Sequence, residues 1–216
     1  MPNQPLSPPP WHLTGNGTVL LYHLPEKLNR ESGFLASFQE KGYRGWIGAV
    51  MMVDYHSSGV GPYRELLYIP GLFSLAGRLT FSVSKIYVST AESLRSGQEN
   101  WGIPKELADF SVVPTSGGTT VFSVHQEGRP FFEARVKPWG PRLPLSSNRL
   151  PPLRLTQQRQ ERLLQTLLQV SGRFRFARLQ SLAADPAFFP PVHRLRPLLA
   201  LSIEDFNLLF PQPIIF

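Results

Sequence analysis

The stretch Gly97–Phe110, GQENWGIPKELADF, decides how the rest of the chain is read. Two polar residues, Glu99 and Asn100, lead into Trp101, and then come Gly102, Ile103, Pro104 and a single lysine, Lys105. Gly102 permits backbone angles that a Cβ forbids, while Pro104 fixes its own φ and disfavours helix at Ile103. The sequence therefore predicts a rigid turn that holds Lys105 in one place, with Trp101, Ile103 and Leu107 as apolar neighbours. Desolvation in such company disfavours the charged form of an amine and frees it as a nucleophile toward carbonyls. Taken alone, the same string also describes a surface turn that ends in lysine.

A second stretch, Ser58-Gly59-Val60-Gly61-Pro62-Tyr63-Arg64-Glu65, lies between two strand candidates. Trp46 to Tyr55 (WIGAVMMVDY) has apolar residues on both faces, as in a strand buried on two sides. Tyr63 to Ile69 returns as a strand and is ended by Pro70-Gly71. Together they predict a hairpin with Glu65 just past its bend. Strand alternation puts Glu65 on the face of Tyr63 and Leu67. If that face is interior, the carboxylate needs a partner; on a surface it would pair with Arg64 or Arg78.

Gly97-x-Glu99-x-Trp101-Gly102-x-Pro104-Lys105 resembles the signature segment of the acetoacetate decarboxylase family, and Ser58 to Glu65 resembles that family's SGxGxYxE stretch at similar spacing. The C-terminal run Leu198 to Phe216 is a third, looser match. The resemblance covers most of the chain after about Leu20, with gaps between Arg129 and Pro197. It implies a mainly β (β-rich α+β) fold, an antiparallel closed or nearly closed β-barrel with a few peripheral helices and an interior cavity. It implies that Lys105 forms a Schiff base with a β-keto acid and that Glu65 lies in the active site. Acetoacetate decarboxylase is itself the known case of a lysine activated by desolvation or a cationic neighbour. The protonated iminium is an electron sink, so a β-carboxylate leaves as carbon dioxide, and the enamine is then protonated and hydrolysed. Glu65 would position water or relay a proton. No metal or organic cofactor is required. Tyr63, Trp101, Glu99 and Met52 are the candidate substrate-binding residues, and Lys105 and Glu65 the catalytic ones.

Three positions depart from the family pattern. The second lysine expected after the nucleophile is Glu106. A carboxylate facing an amine favours its charged form, so the reading requires Glu106 to face away from Lys105. The family's N-terminal arginine falls near Gly15, and a further glutamate falls near Val50. A cavity without these groups is more apolar, which disfavours a small, highly charged keto acid and favours a carbonyl compound with an apolar body.

The remaining sequence bounds the alternatives. A chain of 216 residues suffices for a sizeable core. The expected organisation is an extended proline-rich tail over residues 1–10, docked by Trp11, and one barrel domain over residues 11–216. There is no cysteine, which excludes disulfides, thiolate catalysis and cysteine metal sites. The five histidines, His12, His23, His56, His125 and His193, form no ligand pair at helix or strand spacing, so no metal site is expected. The N-terminus lacks the n- and h-regions of a secretory signal, and no apolar run is long enough to span a membrane, so a cytoplasmic protein is expected. The net charge of +7 is concentrated in arginines from Arg129 to Arg196. They form no compact run or nucleic-acid motif, and arginine is enriched at subunit interfaces. The expected partners are a small carbonyl or keto-acid ligand and copies of the same chain, with no nucleic acid and no membrane.

Elsewhere the pattern predicts a strand over Thr18 to His23, a short helix from Glu26 to Gly42 broken near Gly33, and a strand over Leu79 to Ser89 with Leu79, Phe81 and Val83 on one face. A helix capped by Ser89 or Thr90 precedes the central motif. Strands are expected over Ala108 to Val113, Thr119 to Gln126 and Phe131 to Val136, and a long loop over Gly140 to Pro152. Leu155 to Val170 reads as helix by propensity or as strand by the family comparison. Two functional readings follow: a Schiff-base lyase of decarboxylase or aldolase/hydratase type acting through Lys105, or a non-enzymatic barrel that binds a small apolar or carbonyl ligand. A structural oligomer with an inert cavity is the third.

Overall fold

The computed structural model describes residues 6–216, and the start of the proline-rich tail, Met1 to Pro5, lies outside them. The fold is mainly β with few helices. In chain order, β1 (Trp11–His23) is followed by two short helices, α1 (Glu26–Ser32) and α2 (Ser37–Gly42), which break at Gly33 as the sequence predicts. Then come β2 (Tyr43–Gly45), β3 (Ile47–Ser57), β4 (Tyr63–Ile69), β5 (Leu72–Leu75), β6 (Arg78–Phe81) and β7 (Lys85–Val88). Helix α3 (Ala91–Trp101) leads into β8 (Lys105–Leu107), β9 (Asp109–Pro114), β10 (Thr120–Gln126) and β11 (Arg129–Ser146). The chain ends with β12 (Leu153–Arg159), β13 (Arg162–Ala184), β14 (Leu199–Phe210) and β15 (Ile214–Ile215).

The strands form one extended order, β2-β5-β6-β12-β13-β14-β1-β3-β4-β7-β8, with β9-β10-β11 joined to it through β13. Neighbours are antiparallel except β6 with β12 and β7 with β8. Among the described residues no ladder joins β2 to β8, so the sheet is not closed end to end into the barrel that the resemblance implies.

The β3–β4 hairpin is in the predicted place, with Val53 opposite Glu65 and Tyr55 opposite Tyr63. Its strands are buried on both faces. Val50, Met52, Leu66 and Tyr68 pack into one core with Leu20, Tyr22, Phe132 and Phe189. Val53, Tyr55, Tyr63 and Leu67 pack into a second core with Trp11, Leu13, Ile86, Trp101 and Ile103. Alternation thus assigns Glu65 to the second core, and that core holds the site.

Two expectations are corrected and one open alternative is settled. The single strand over Leu79 to Ser89 is two strands, β6 and β7, in different ladders. The chain turns at Ser82–Ser84 because these buried serines are held by distant groups. The Ser82 hydroxyl accepts from Gln39 at 2.7 Å and Ser84 donates to the Gly33 carbonyl at 2.6 Å. Leu79 is consequently exposed while Thr80 is buried. The loop over Gly140 to Pro152 is largely strand, since β11 continues to Ser146 and stays paired with β13 as far as Ser171. Leu155 to Val170 resolves to a hairpin of β12 and β13, turning at Gln160 and Glu161, both at positive φ. Cross-strand pairing and burial of Leu155 and Leu164 override helix propensity there.

Candidate active site

Lys105 is positioned by α3 and the turn that follows it. Thr90 caps the helix, its hydroxyl accepting from the Ser93 N–H at 3.3 Å. Ser93, Gly97 and Trp101, at intervals of four, form the buried face of α3. The helix is longer than the sequence suggests and includes the Gly97–Trp101 half of the motif. It stops at Gly102, whose φ of 66° is the left-handed C-cap that favours glycine. A Cβ there would stand 2.7 Å from the Gln158 carbonyl oxygen, a second reason for glycine. The turn is rigid as predicted: Gln98 Nε2 donates to the Lys105 carbonyl at 2.9 Å, and the Lys105 N–H donates to the Ile103 carbonyl at 2.8 Å.

From β8 the lysine side chain runs back across Gly97. A Cβ on Gly97 would lie 2.6 Å from Lys105 Cδ and 2.7 Å from Cε, so only glycine leaves room for it. Lys105 Nζ donates to Ser93 Oγ at 2.9 Å and lies 3.1 Å from Glu65 Oε2. The two charged side chains are only 4% and 6% exposed. Tyr55 donates its hydroxyl to the other Glu65 oxygen at 3.2 Å, and the Nζ lies 5.0 Å from the Tyr63 ring centroid. Burial, reinforced by the negative charge of Glu65, raises both tyrosine hydroxyls well above their ordinary range. Both therefore remain proton donors.

The cavity around this pair measures about 100 Å³. Apart from Lys105, Glu65, Tyr55 and Tyr63, its lining is apolar, including Trp11, Leu13, Met51, Trp101, Ile103 and Phe210. Trp11 and Trp101 meet edge to face at 5.0 Å, and Trp101 meets Phe210 at 4.7 Å. Ser7 anchors the approach to β1: its carbonyl accepts from Trp11 Nε1 at 3.2 Å and from Asn100 Nδ2 at 2.7 Å.

The departures noted in the sequence have structural consequences. Glu106 faces away, as the nucleophile reading requires, because alternation along β8 turns it outward to Lys85 Nζ at 2.6 Å. Lys85 is further held over the Phe34 and Tyr87 rings. Arg64 pairs with Asp54 at 3.1 Å rather than with Glu65. No arginine lines the cavity, and Val50 lies in the other core. Among the described residues no histidine or carboxylate cluster could hold a metal ion.

Of the candidate substrate-binding residues, Tyr63 and Trp101 line the cavity and two do not. Met52 is buried in the opposite core, and its neighbour Met51 takes the cavity position. A strand apolar on both faces hides which methionine points inward. Glu99 sits on the outer face of α3 and pairs with Arg159 at 2.6 Å. Two positions before Trp101 on a helix is roughly 200° around the axis, so the two cannot share a face. Sequence reasoning missed Ser93 and Tyr55. The spacing of Ser93 to Gly97 and the placement of Tyr55 opposite Tyr63 in a regular hairpin are the signals that would have found them.

Comparison with known proteins bears on the family and the fold. The family model described as acetoacetate decarboxylase matches residues 44–169. No curated protein matches the chain. The crystal structure of acetoacetate decarboxylase from Legionella pneumophila superposes with a TM-score of 0.77 at 14% identity, covering 100% of this chain and 91% of that one. The enduracididine biosynthesis enzyme MppR complexed with pyruvate gives a TM-score of 0.67 at 18% identity, over 97% and 91% of the two chains. The same enzyme complexed with the condensation product of pyruvate and imidazole 4-carboxaldehyde gives 0.66 at 18% identity, over 97% and 90%. At these identities the superpositions establish the fold. With more than half of its length matched by the family model, the chain belongs to the acetoacetate decarboxylase family.

Proposed function

We propose that this protein is a lysine-dependent carbon–carbon lyase, of decarboxylase or aldolase/hydratase type, that binds a keto acid or other carbonyl compound as a Schiff base on Lys105. The observation that carries the reading is the buried Lys105–Glu65 pair at 3.1 Å inside an apolar cavity. Transfer of one proton from Nζ to Glu65 leaves a neutral amine beside a carboxylic acid. The amine adds to the carbonyl carbon, and Glu65 returns the proton to the departing hydroxyl as water leaves. Ser93 and the Tyr63 ring fix the position of Nζ throughout. The groups needed are all side chains, so the scheme uses no metal or organic cofactor. MppR, with the same fold, has been crystallised with pyruvate and with a pyruvate condensation product, which supports this class of ligand.

The reading extends to the whole chain. Residues 11–216 act as one domain, with residues 1–10 as its tail. The enclosure is nearly barrel-like, supported by the direct passage from β8 to β9 through Ala108, whose N–H bonds back to Val88. The protein assembles with copies of itself. Support comes from β11 and β13, where exposed Trp139 stacks on Phe176 amid arginines. No described helix is long and apolar enough to cross a membrane, and a cytoplasmic location is carried forward as an expectation that fractionation tests.

The test is borohydride reduction with a panel of keto acids, ketones and aldehydes, read by intact mass. Lyase chemistry predicts a stable adduct of one carbonyl compound per chain. A non-enzymatic binding barrel, which the apolar lining also suits, predicts protection or a shift in melting temperature without any adduct.

A further inference from the structure

We propose that a cleft on the far side of β3 from Lys105 is a second ligand site, one that takes a small protonated amine with an apolar body. Met51 and Met52 are neighbours on β3, so they face opposite sides of the sheet. Met51 lines the cavity around Lys105, and Met52 lines a separate cleft of about 260 Å³. That volume exceeds the about 100 Å³ around Lys105 and approaches the lower end of the range for small-molecule sites, about 300–1,000 Å³. The two cavities share no lining residue, so occupancy of this cleft is independent of Schiff-base chemistry.

The cleft lies between two walls of sheet. One wall is β14, β1 and β3, on which the register sets Ser202, Thr18 and Met52 side by side. The facing wall is β9, β10 and β11, on which Thr120 lies opposite Val136. Phe122, two residues along β10, presents the same face as Thr120. The walls meet in the core that holds Met52, Phe122 and Val136, and these three buried side chains form the apolar floor of the cleft. Around that floor the hydroxyl-bearing residues Thr18, Thr120 and Ser202 converge from three different strands, together with the carboxylate of Asp54. An apolar floor with a few convergent polar groups is the usual composition of a small-molecule site.

The charge of the lining selects the ligand. Asp54 is its one ionisable side chain; among the described residues no lysine, arginine, histidine or glutamate lines the cleft. Arg64 on β4 holds Asp54 Oδ1 at 3.1 Å without lining the cleft itself. A carboxylate offers about four acceptor sites, so this bond leaves capacity for a second donor. Arg175, whose Cα pairs with that of Ser202, is committed elsewhere: it donates to the Gly140 carbonyl at 3.1 Å and lies 3.9 Å from Glu204. A protonated amine in the cleft therefore meets an anion and hydroxyls that accept from its N–H groups. A carboxylate ligand meets like charge and no cation. An aromatic body suits the floor, because the Met52 thioether packs favourably against rings.

Three probes with an aromatic body and different charge test this: N,N-dimethylbenzylamine, benzyl alcohol and benzoate. None carries a ketone or aldehyde, so none forms a Schiff base with Lys105. The chain has three methionines, Met1, Met51 and Met52. Their methyl groups, labelled with carbon-13 and assigned through Met51→Leu and Met52→Leu, report by NMR which cavity fills. Near neutral pH the protonated amine should shift the Met52 signal and change Met51 little, with half-saturation in the low millimolar range or below. Benzyl alcohol should require roughly tenfold more, and benzoate should give no shift. Asp54→Asn should raise the half-saturating concentration of the amine roughly tenfold. The Asp54–Arg64 pair is partly exposed, so its loss costs little stability and the variant stays folded. Any one of four results overturns the site: no Met52 shift with the amine, a larger shift at Met51, an equal response to either other probe, or unchanged affinity in Asp54→Asn.

Discussion

Replacing Gly97 with alanine tests how tightly the helix and the lysine are fitted. By propensity alone the change stabilises an interior helical position by about 1 kcal/mol. The cavity works against it. The new Cβ would lie 2.6 Å from Lys105 Cδ, 2.7 Å from Cε and 3.2 Å from Nζ. Carbon atoms rest about 3.5–4.0 Å apart, so the lysine stem must move by roughly 1 Å. That displacement breaks or stretches the 2.9 Å bond to Ser93 and the 3.1 Å contact with Glu65. Disrupting a buried ion pair costs about 3–5 kcal/mol, so the net effect of Gly97→Ala is a loss of about 2–4 kcal/mol. A misplacement of about 1 Å at a reacting group costs on the order of 100-fold in rate, and trapping at Lys105 should slow accordingly. The assays are chemical denaturation and the time course of borohydride trapping. A Gly97→Ala variant that is more stable than wild type and traps at the wild-type rate refutes the packing of Lys105 across α3.

Three further outcomes are expected. Lys105→Met leaves Glu65 buried and unpaired and should destabilise the protein by about 3–5 kcal/mol, while adding Glu65→Leu should recover at least half of that loss in denaturant midpoint. All six tyrosines are raised above their ordinary pKa, with burial the largest cause in each. Above a pH of about 10 the unfolded chain loses these protons and the folded chain keeps them. The unfolded state then binds fewer protons, so stability is intact below that pH and falls as pH rises through it. Tyrosinate absorbance should therefore appear together with unfolding and not before it. Met51→Ala should widen acceptance to longer ketones, whereas Met52→Ala should cost about 2–5 kcal/mol of stability and leave ketone preference unchanged.

The parts of this structure that were legible in the sequence rest on local rules. The hairpin and the inward face of Glu65 follow from a glycine-rich loop and strand alternation. The fixed place of Lys105 follows from a glycine cap and a proline. The parts that were not legible depend on distant partners. The break between β6 and β7 exists because Gln39 and the Gly33 carbonyl reach Ser82 and Ser84. Met51 could not be told from Met52 because β3 is buried on both sides and alternation alone gives no sign of which core holds the cavity. Ser93 became part of the site only because α3 folds back on β8 and brings its buried face to the amine of Lys105. Leu155 to Val170 was ambiguous because leucine and glutamine satisfy a helix as readily as a strand, and the pairing of β12 with β13 settles it.

The account turns on one amine among five lysines. The most direct measurement is reductive trapping with acetone and borohydride, followed by digestion and mass spectrometry of the modified peptide. The account predicts a single reduced adduct on the peptide that carries Lys105, absent from Lys105→Ala. An adduct on Lys27, Lys41, Lys85 or Lys137 in its place, or none with any carbonyl compound offered, would contradict it.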